Sequence, residues 1–145
     1  MSTIADILGT YTVDPAWQRS FYEWMHSNPE LSFQEEQTHA RIRAELDRFD
    51  CDVIAPIGKF GICAVFTNGD GPTVLYRADF DGLPVTEATG VPYASMKTAT
   101  NAEGKTVGTM HACGHDIHTT ALLSMCDILD HTREHWAGTF VALFQ

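Results

Sequence analysis

No stretch of this chain approaches the ~18 consecutive apolar residues that a membrane-spanning helix needs, so nothing in it reads as a transmembrane segment. The opening MSTIADILGTYTVD lacks a basic start followed by an apolar block, so no secretory signal is expected. Cationic side chains are scarce: nine Lys and Arg stand against nineteen Asp and Glu, a formal net charge of −10. Such a surface repels phosphate backbones and argues against nucleic acid as a partner. Cysteine is sparse too, with Cys51, Cys63, Cys113 and Cys126 the four present. An even count permits two disulfides, but without an export signal reduced thiols are expected. No internal repeat or low-complexity linker interrupts the 145 residues. Eight Phe, three Trp and a 44% hydrophobic fraction argue against disorder and suffice for one core. The expectation is a single acidic domain in the cytoplasm.

What is present changes period along the chain. In DPAWQRSFYEWMHSNPE, Asp14 is placed to cap a helix and Pro15 to open it. Trp17, Phe21, Trp24 and Met25 fall at i, i+4, i+7 and i+8, one apolar stripe, and Pro29 ends the helix. A second helix is predicted directly after it, with Ser32 and Glu35 as a capping box. Phe33, Ala40, Ile42, Leu46 and Phe49 would form its irregular apolar face. GICAVF (61–66) and TVLYRA (73–78) read as strands, and the Asn-Gly and Asp-Gly turn formers between them predict an antiparallel pair. Residues 79–115 hold no sustained period, which in a compact domain points to function. DIHTTALLSMCDILDH regains helical spacing, with Asp116 as N-cap and Ala121, Leu122, Met125, Ile128 and Leu129 on one face. TFVALF (139–144) is apolar throughout, as expected of a central strand. The fold class is α/β. A central strand that runs straight into Gln145 leaves nothing to deliver beyond its carboxyl end, so the chain reads as cut short.

The stretch GTMHACGHDIHTT (108–120) puts three histidines, a cysteine and an aspartate between His111 and His118. Cys113 and His115 are separated only by Gly114; in an extended segment they face one side, and glycine lets the backbone approach an ion closely. Thiolate and imidazole both suit zinc and other borderline metals. A helix starting near Asp116 points its positive end at Cys113 and favours the thiolate. A lone Cys-x-His is ordinarily a buried inert cysteine beside surface histidines; the density of ligand types here argues for a metal. Upstream, LYRADFDGLPV places Asp79 and Asp81 after a strand. They are either turn formers, or one of them holds a ligand histidine in its proper tautomer.

At these residues the chain resembles the M20 metallopeptidases and aminoacylases, more narrowly the amidohydrolase branch with hippurate hydrolases, N-acetyl-diaminopimelate deacetylases and auxin-conjugate hydrolases. Three blocks carry the resemblance: HSNPELSFQEEQT from His26, RADFDGLPVTEATGVPYAS from Arg77, and GTMHACGHDIHTTALL from Gly108. It implies the N-terminal part of a zinc-peptidase-like catalytic domain, a mixed sheet flanked by helices, with residues 1–145 all belonging to it. It implies two divalent metal ions (Zn, Mn, Co or Ni) in one site, with Cys113 and His115 matching ligands. Asp81 matches the family's catalytic aspartate, which orients the site from behind. Asp79 stands where related peptidases carry a ligand histidine, and His111, Asp116 and His118 carry over no ligand role.

The implied reaction is metal-assisted hydrolysis of the amide bond of N-acyl amino acids or related conjugates, with a glutamate moving the proton. In the family that glutamate lies in a Pro-Ala-Glu-Glu element after a strand like TFVALFQ, and this chain stops at Gln145. The remaining histidine ligands and the smaller domain that closes over substrate and dimerises also lie outside it. Residues 1–145 alone are therefore expected to be inactive, and the full-length enzyme to be a homodimer acting on small N-acyl or peptide-like substrates. Three rivals stand beside this reading. His131, Glu134 and His135 form His-x-x-Glu-His, the signature of inverted zinc peptidases. Cys113 next to His111, His115 or His118 could serve a cysteine hydrolase. A truncated product could also persist as a non-catalytic metal-binding module.

Overall fold

The structure, a computed structural model, describes residues 3–145. In chain order its elements are helices α1 (Ile4–Thr10), α2 (Pro15–Ser27) and α3 (Glu36–Leu46), then strands β1 (Asp52–Ile57), β2 (Gly61–Asn68) and β3 (Thr73–Ala78). The short strands β4 (Thr98–Thr100) and β5 (Thr106–Gly108), helix α4 (His115–His131), a 3-10 turn (Arg133–His135) and strand β6 (Gly138–Phe144) follow. The main sheet runs β1–β2–β6–β3, antiparallel between β2 and β6 and parallel between β3 and β6. It is the mixed α/β arrangement expected, and β6 takes the central place that its apolar run predicts.

Register explains the core. Ile62, Ala64 and Phe66 of β2 stand opposite Phe144, Ala142 and Phe140 of β6, so one parity of each strand faces one side. All six are buried, together with Phe21 and Met25 of α2, Ile42 and Leu46 of α3, and Leu122, Leu123 and Cys126 of α4. The three longer helices therefore cover that face of the sheet. Each fully buried Phe or Leu contributes on the order of 1.5–3 kcal/mol. The opposite parity, Cys63, Val65, Val141 and Leu143, is only half-buried, and Val74, Leu75 and Tyr76 on the edge strand β3 are exposed.

Several local expectations are corrected. The strands β2 and β3 do not pair with each other; β6 lies between them. The link 69–72 crosses the start of β6 instead of closing a tight turn. A Cβ on Gly138 would lie 2.3 Å from the Pro72 carbonyl oxygen, and one on Gly71 would lie 2.7 Å from that of Ala137. Ser32 and Glu35 make no capping box: the first-turn amides of Gln37 and Thr38 in α3 donate instead to the Glu30 carboxylate (3.1 and 2.7 Å), and the Ser32 hydroxyl donates to Asp81. Phe33 is 72% exposed at a positive φ of 64° and leaves the helical face. Ala121 is exposed while Leu123 and Cys126 are buried, so the inner face of α4 is rotated from the one expected. Four strands or α-helices were not expected from local pattern: α1, β1, and the short pair β4 and β5 inside residues 79–115. α1 is capped by Thr3 in a box with Asp6. β1 contains Pro56, which is tolerated because β1 is an outer strand with an irregular register between Ile54 and Ile57.

Candidate metal centre

Because β3 and β6 are parallel, their carboxyl ends open on the same side. The pairing continues past both strands: the Phe80 amide donates to the Gln145 carbonyl (2.8 Å) and the Gln145 amide donates to that of Ala78 (3.0 Å). A cavity of about 440 Å³ opens there, lined by Ser32, Glu35, Arg77, Asp79, Asp81 and His115 among others. Ligands of open α/β sheets bind at this position, outside the carboxyl ends of the strands. Backbone contacts bring the three motif blocks to it. Leu31 bridges to Gly82, with the Gly82 amide donating to Glu30 O (2.6 Å), and Leu83 bridges to Met110.

His115 and Asp81 meet directly. His115 Nδ1 lies 2.8 Å from Asp81 Oδ1 and 3.0 Å from its carbonyl oxygen. Both partners accept, so Nδ1 carries the proton; in the neutral ring this leaves the lone pair on Nε2, the tautomer of a metal-ligating histidine. Asp81 Oδ2 accepts a short hydrogen bond from the Ser32 hydroxyl, so both carboxylate oxygens are engaged. Asp79 lines the same cavity but makes no hydrogen bond to His115: its Oδ1 pairs with Arg77, and its carbonyl accepts from Thr119 Oγ1 (3.1 Å).

Cys113 and His115 do not share one side of an extended segment. Gly114 between them adopts φ 77°, ψ 21° and serves as the N-cap of α4, so the helix begins at His115. Asp116, expected as N-cap, sits inside the first turn. A Cβ at Gly114 would meet nothing within 4 Å. Glycine is required there by the left-handed backbone and not by crowding. His115 lines the cavity, whereas the Cys113 thiol is exposed and is not part of the lining. Both sit at the positive end of the 17-residue α4.

Beneath this loop lies a polar cluster that sequence reasoning did not assign. Buried His26 has Nδ1 2.7 Å from Asp116 Oδ2 and Nε2 3.0 Å from Glu87 Oε1. Burial pushes the His26 imidazole down, but the bonds to Glu87 and Asp116 outweigh it and the net shift is upward. Glu87 is held below the usual carboxylate range despite its burial, by donors from Thr89, Ser95 and His26. His111 is buried with neither ring nitrogen hydrogen-bonded, and burial lowers its basicity although Asp116 pulls the other way. Glu35, buried at the cavity wall, is raised by burial against the pull of nearby backbone amides. The available signal was that each motif block carried an acid or histidine with no role assigned at the site, namely His26, Glu87 and Asp116.

The rivals fare differently from the metal pair. α4 ends at His131, and Glu134 and His135 lie in a separate 3-10 turn, so the His-x-x-Glu-His residues share no helix face. His131 Nδ1 is bonded to the Asp127 carbonyl (2.9 Å) and its ring stacks on Tyr11 at 4.3 Å. For the cysteine-hydrolase reading, no imidazole among the described residues hydrogen-bonds Cys113. A group of three or more His, Cys, Asp or Glu placed to hold a metal ion is likewise absent among the described residues.

An α/β domain with an oriented imidazole and a carboxylate at the carboxyl ends of its parallel strands, and an exposed thiol two residues before that imidazole, has parts that suit a metallohydrolase. Residues 75–145 match peptidase family M20/M25/M40, and the chain belongs to this family. It is 44% identical over 138 residues to the IAA-amino acid hydrolase ILR1-like 6 of Arabidopsis thaliana, covering 94% of this chain and 28% of that protein. It is 39% identical over 123 residues to an N-acetylcysteine deacetylase of Bacillus subtilis, covering 83% of this chain and 30% of that protein. Among solved structures it is similar to the Bacillus subtilis YXEP protein, a dinuclear metal binding peptidase of the M20 family. The TM-score is 0.79 and the identity 36%, over 90% of this chain and 35% of that one. The chain thus spans only 28% to 30% of the length of these two curated relatives.

Proposed function

We propose that residues 1–145 carry the Cys113–His115 part of the metal site of an M20 amidohydrolase that cleaves the amide bond of N-acyl amino acids or related conjugates. The observation that carries this reading is the Asp81–His115 contact. A carboxylate and a carbonyl on Nδ1 fix the one tautomer that offers Nε2 as a ligand. The donor set fits a divalent transition ion: an exposed thiol and an imidazole flank Gly114 at the positive end of a helix. When bound, such ions polarise the amide carbonyl and lower the pKa of a coordinated water. This chain's residues have narrower tasks. His115 and Cys113 donate ligand atoms, Asp81 aims His115, and Ser32 restrains Asp81. The relatives' names, an IAA-amino acid hydrolase and an N-acetylcysteine deacetylase, support amino-acid conjugates as the substrate class.

Two ligands fall short of the four that a zinc centre takes. In this reading the other ligands and the proton-transferring glutamate come from outside residues 1–145, and the whole enzyme is a cytoplasmic homodimer. Titration of the purified chain with Co(II), followed by thiolate-to-cobalt charge-transfer absorption, tests the ligand pair. A weak, saturable band is expected, lost in Cys113→Ser and in His115→Ala. A chain that gives no such band refutes the ligand assignment. Metal-dependent hydrolysis of N-acetyl or N-benzoyl amino acids by residues 1–145 alone would refute the division of the site.

A further inference from the structure

His26, Glu87 and Asp116 come from three separate sequence blocks, 61 and 90 residues away from His26 for the two acids, yet their side chains meet in one buried cluster. Their protonation follows from the geometry. Glu87 Oε1 accepts from Thr89 Oγ1, and Oε2 accepts from the Ser95 amide. Asp116 Oδ1 accepts from the Ile117 amide (2.8 Å). Every neighbour of both acids is thus a donor, which is what an ionised carboxylate requires. A neutral imidazole carries one N–H and would turn a bare lone pair toward the second carboxylate at 2.7 or 3.0 Å. Between two ionised carboxylates, only the doubly protonated ring satisfies both contacts. One cation between two anions also removes much of the cost of burying charge, and loss of the cation would leave two uncompensated buried carboxylates. The side chains of His26, Glu87 and Asp116 are 9%, 0% and 2% exposed. The rings of Tyr22 and Tyr93 pack against His26 at centroid distances of 5.7 and 5.3 Å and close the cluster from solvent.

The cluster ties three otherwise separate pieces of backbone together: the last turn of α2, the loop that follows the Gly-Leu-Pro turn, and the first turn of α4. Asp116 is covalently next to His115. We propose that His26 is a positioning residue: an imidazolium clamp between Glu87 and Asp116 that holds the start of α4, and with it the Cys113–Gly114–His115 ligand loop, in the geometry that captures metal. The clamp touches neither metal ligand, acting on His115 through Asp116 and the helix start while Asp81 acts on its ring. The inference rests on the metal reading above.

The test has two arms, both on the full 145-residue chain. Nitrogen-15 NMR of the unaltered protein at neutral pH reads the His26 ring directly; both nitrogens protonated is the expected result, and one bare nitrogen overturns the clamp. In the second arm, Co(II) is titrated into the unaltered chain, His26→Gln and Glu87→Gln, with circular dichroism and melting curves establishing that each is folded. Loss of an outer-shell partner of a metal site typically weakens metal binding by about 10- to 100-fold, and that loss is expected in both variants. A merely structural role would lower the melting temperature and leave the cobalt affinity of the folded protein unchanged. Unchanged affinity in folded Glu87→Gln overturns the proposal even where His26→Gln fails to fold. Absence of the band in the unaltered chain refutes the metal reading and the positioning role with it, whereas a band that is equal in all three proteins refutes the positioning role alone.

Discussion

Two glycines at positive φ separate backbone strain from steric collision. Gly114 sits at φ 77°, ψ 21° with open space where a Cβ would go. Alanine there meets only the left-handed penalty of about 1–2 kcal/mol, partly offset by the ~0.4–1 kcal/mol that glycine removal takes from the unfolded chain's entropy. The net is a loss of about 1 kcal/mol, or about 3 °C in Tm for a domain of this size. Gly138 differs in both respects. Its φ is 118°, in a range used almost only by glycine, and a Cβ would lie 2.3 Å from the Pro72 carbonyl oxygen and 3.1 Å from Gly71 C. That oxygen cannot withdraw freely, because it accepts from the Thr139 amide (3.0 Å) at the start of β6. Relief requires the 69–72 link to lift off the central strand, which costs more than ~4 kcal/mol, a large share of a typical domain's stability. Thermal melts and urea titrations of Gly114→Ala and Gly138→Ala read the difference. If Gly138→Ala melts within about 3 °C of the unaltered chain, or above Gly114→Ala, the crossing of β6 by the 69–72 link is not as described.

The His26 clamp has a pH signature in the stability difference between the unaltered chain and His26→Gln. The His26 pKa is raised from 6.5, so its contribution is complete below that value and is lost as pH rises through the raised one. The Glu87 pKa is lowered from 4.5, so its part persists above that value and is lost as pH falls through the lowered one. The difference is therefore greatest at about pH 4.5–6.5, and a difference that grows toward alkaline pH contradicts the assignment. Thiol labelling separates the cysteines: exposed Cys113 reacts first in the native chain. Cys126, fully buried and pushed up by burial, reacts only on unfolding, while half-buried Cys51, pushed up by burial to about 11, reacts more slowly than Cys113. Rapid native labelling of Cys126 would show that the α4 face is not packed as described. His131→Ala and His135→Ala leave the cobalt band unchanged, with His131→Ala losing about 0.5–1.5 kcal/mol of stability from its stack on Tyr11. Loss of the band in either variant would revive the His-x-x-Glu-His site.

Legibility followed the range of each interaction. The α2 cap at Asp14, the break before Pro29 and the central, all-apolar β6 are local patterns, and each is present in the fold. Cys113 and His115 could be singled out together because they are two positions apart, and the Asp81 contact was reachable through the family resemblance. Ser32 misled, since a Ser with a Glu three residues on is a capping box in isolation, and its hydroxyl was claimed by an aspartate 49 residues away. The β2–β3 turn misled for a similar reason: turn formers report that the chain reverses, not that another strand will enter between the two arms.

Residue type and spacing alone determined the α/β class and the chemistry on offer at Gly108–Thr120, because periodicity and side-chain type are properties of short segments. Tertiary structure decided which of those groups work together. It inserted β6 between β2 and β3, and so put Asp79, Asp81 and Gln145 at the same end of the sheet. It gave His115 its tautomer and gathered His26, Glu87 and Asp116 into one buried ion cluster. Such contacts are set by how helices and strands from distant segments pack against one core, and no local pattern in the chain encodes the distance between them.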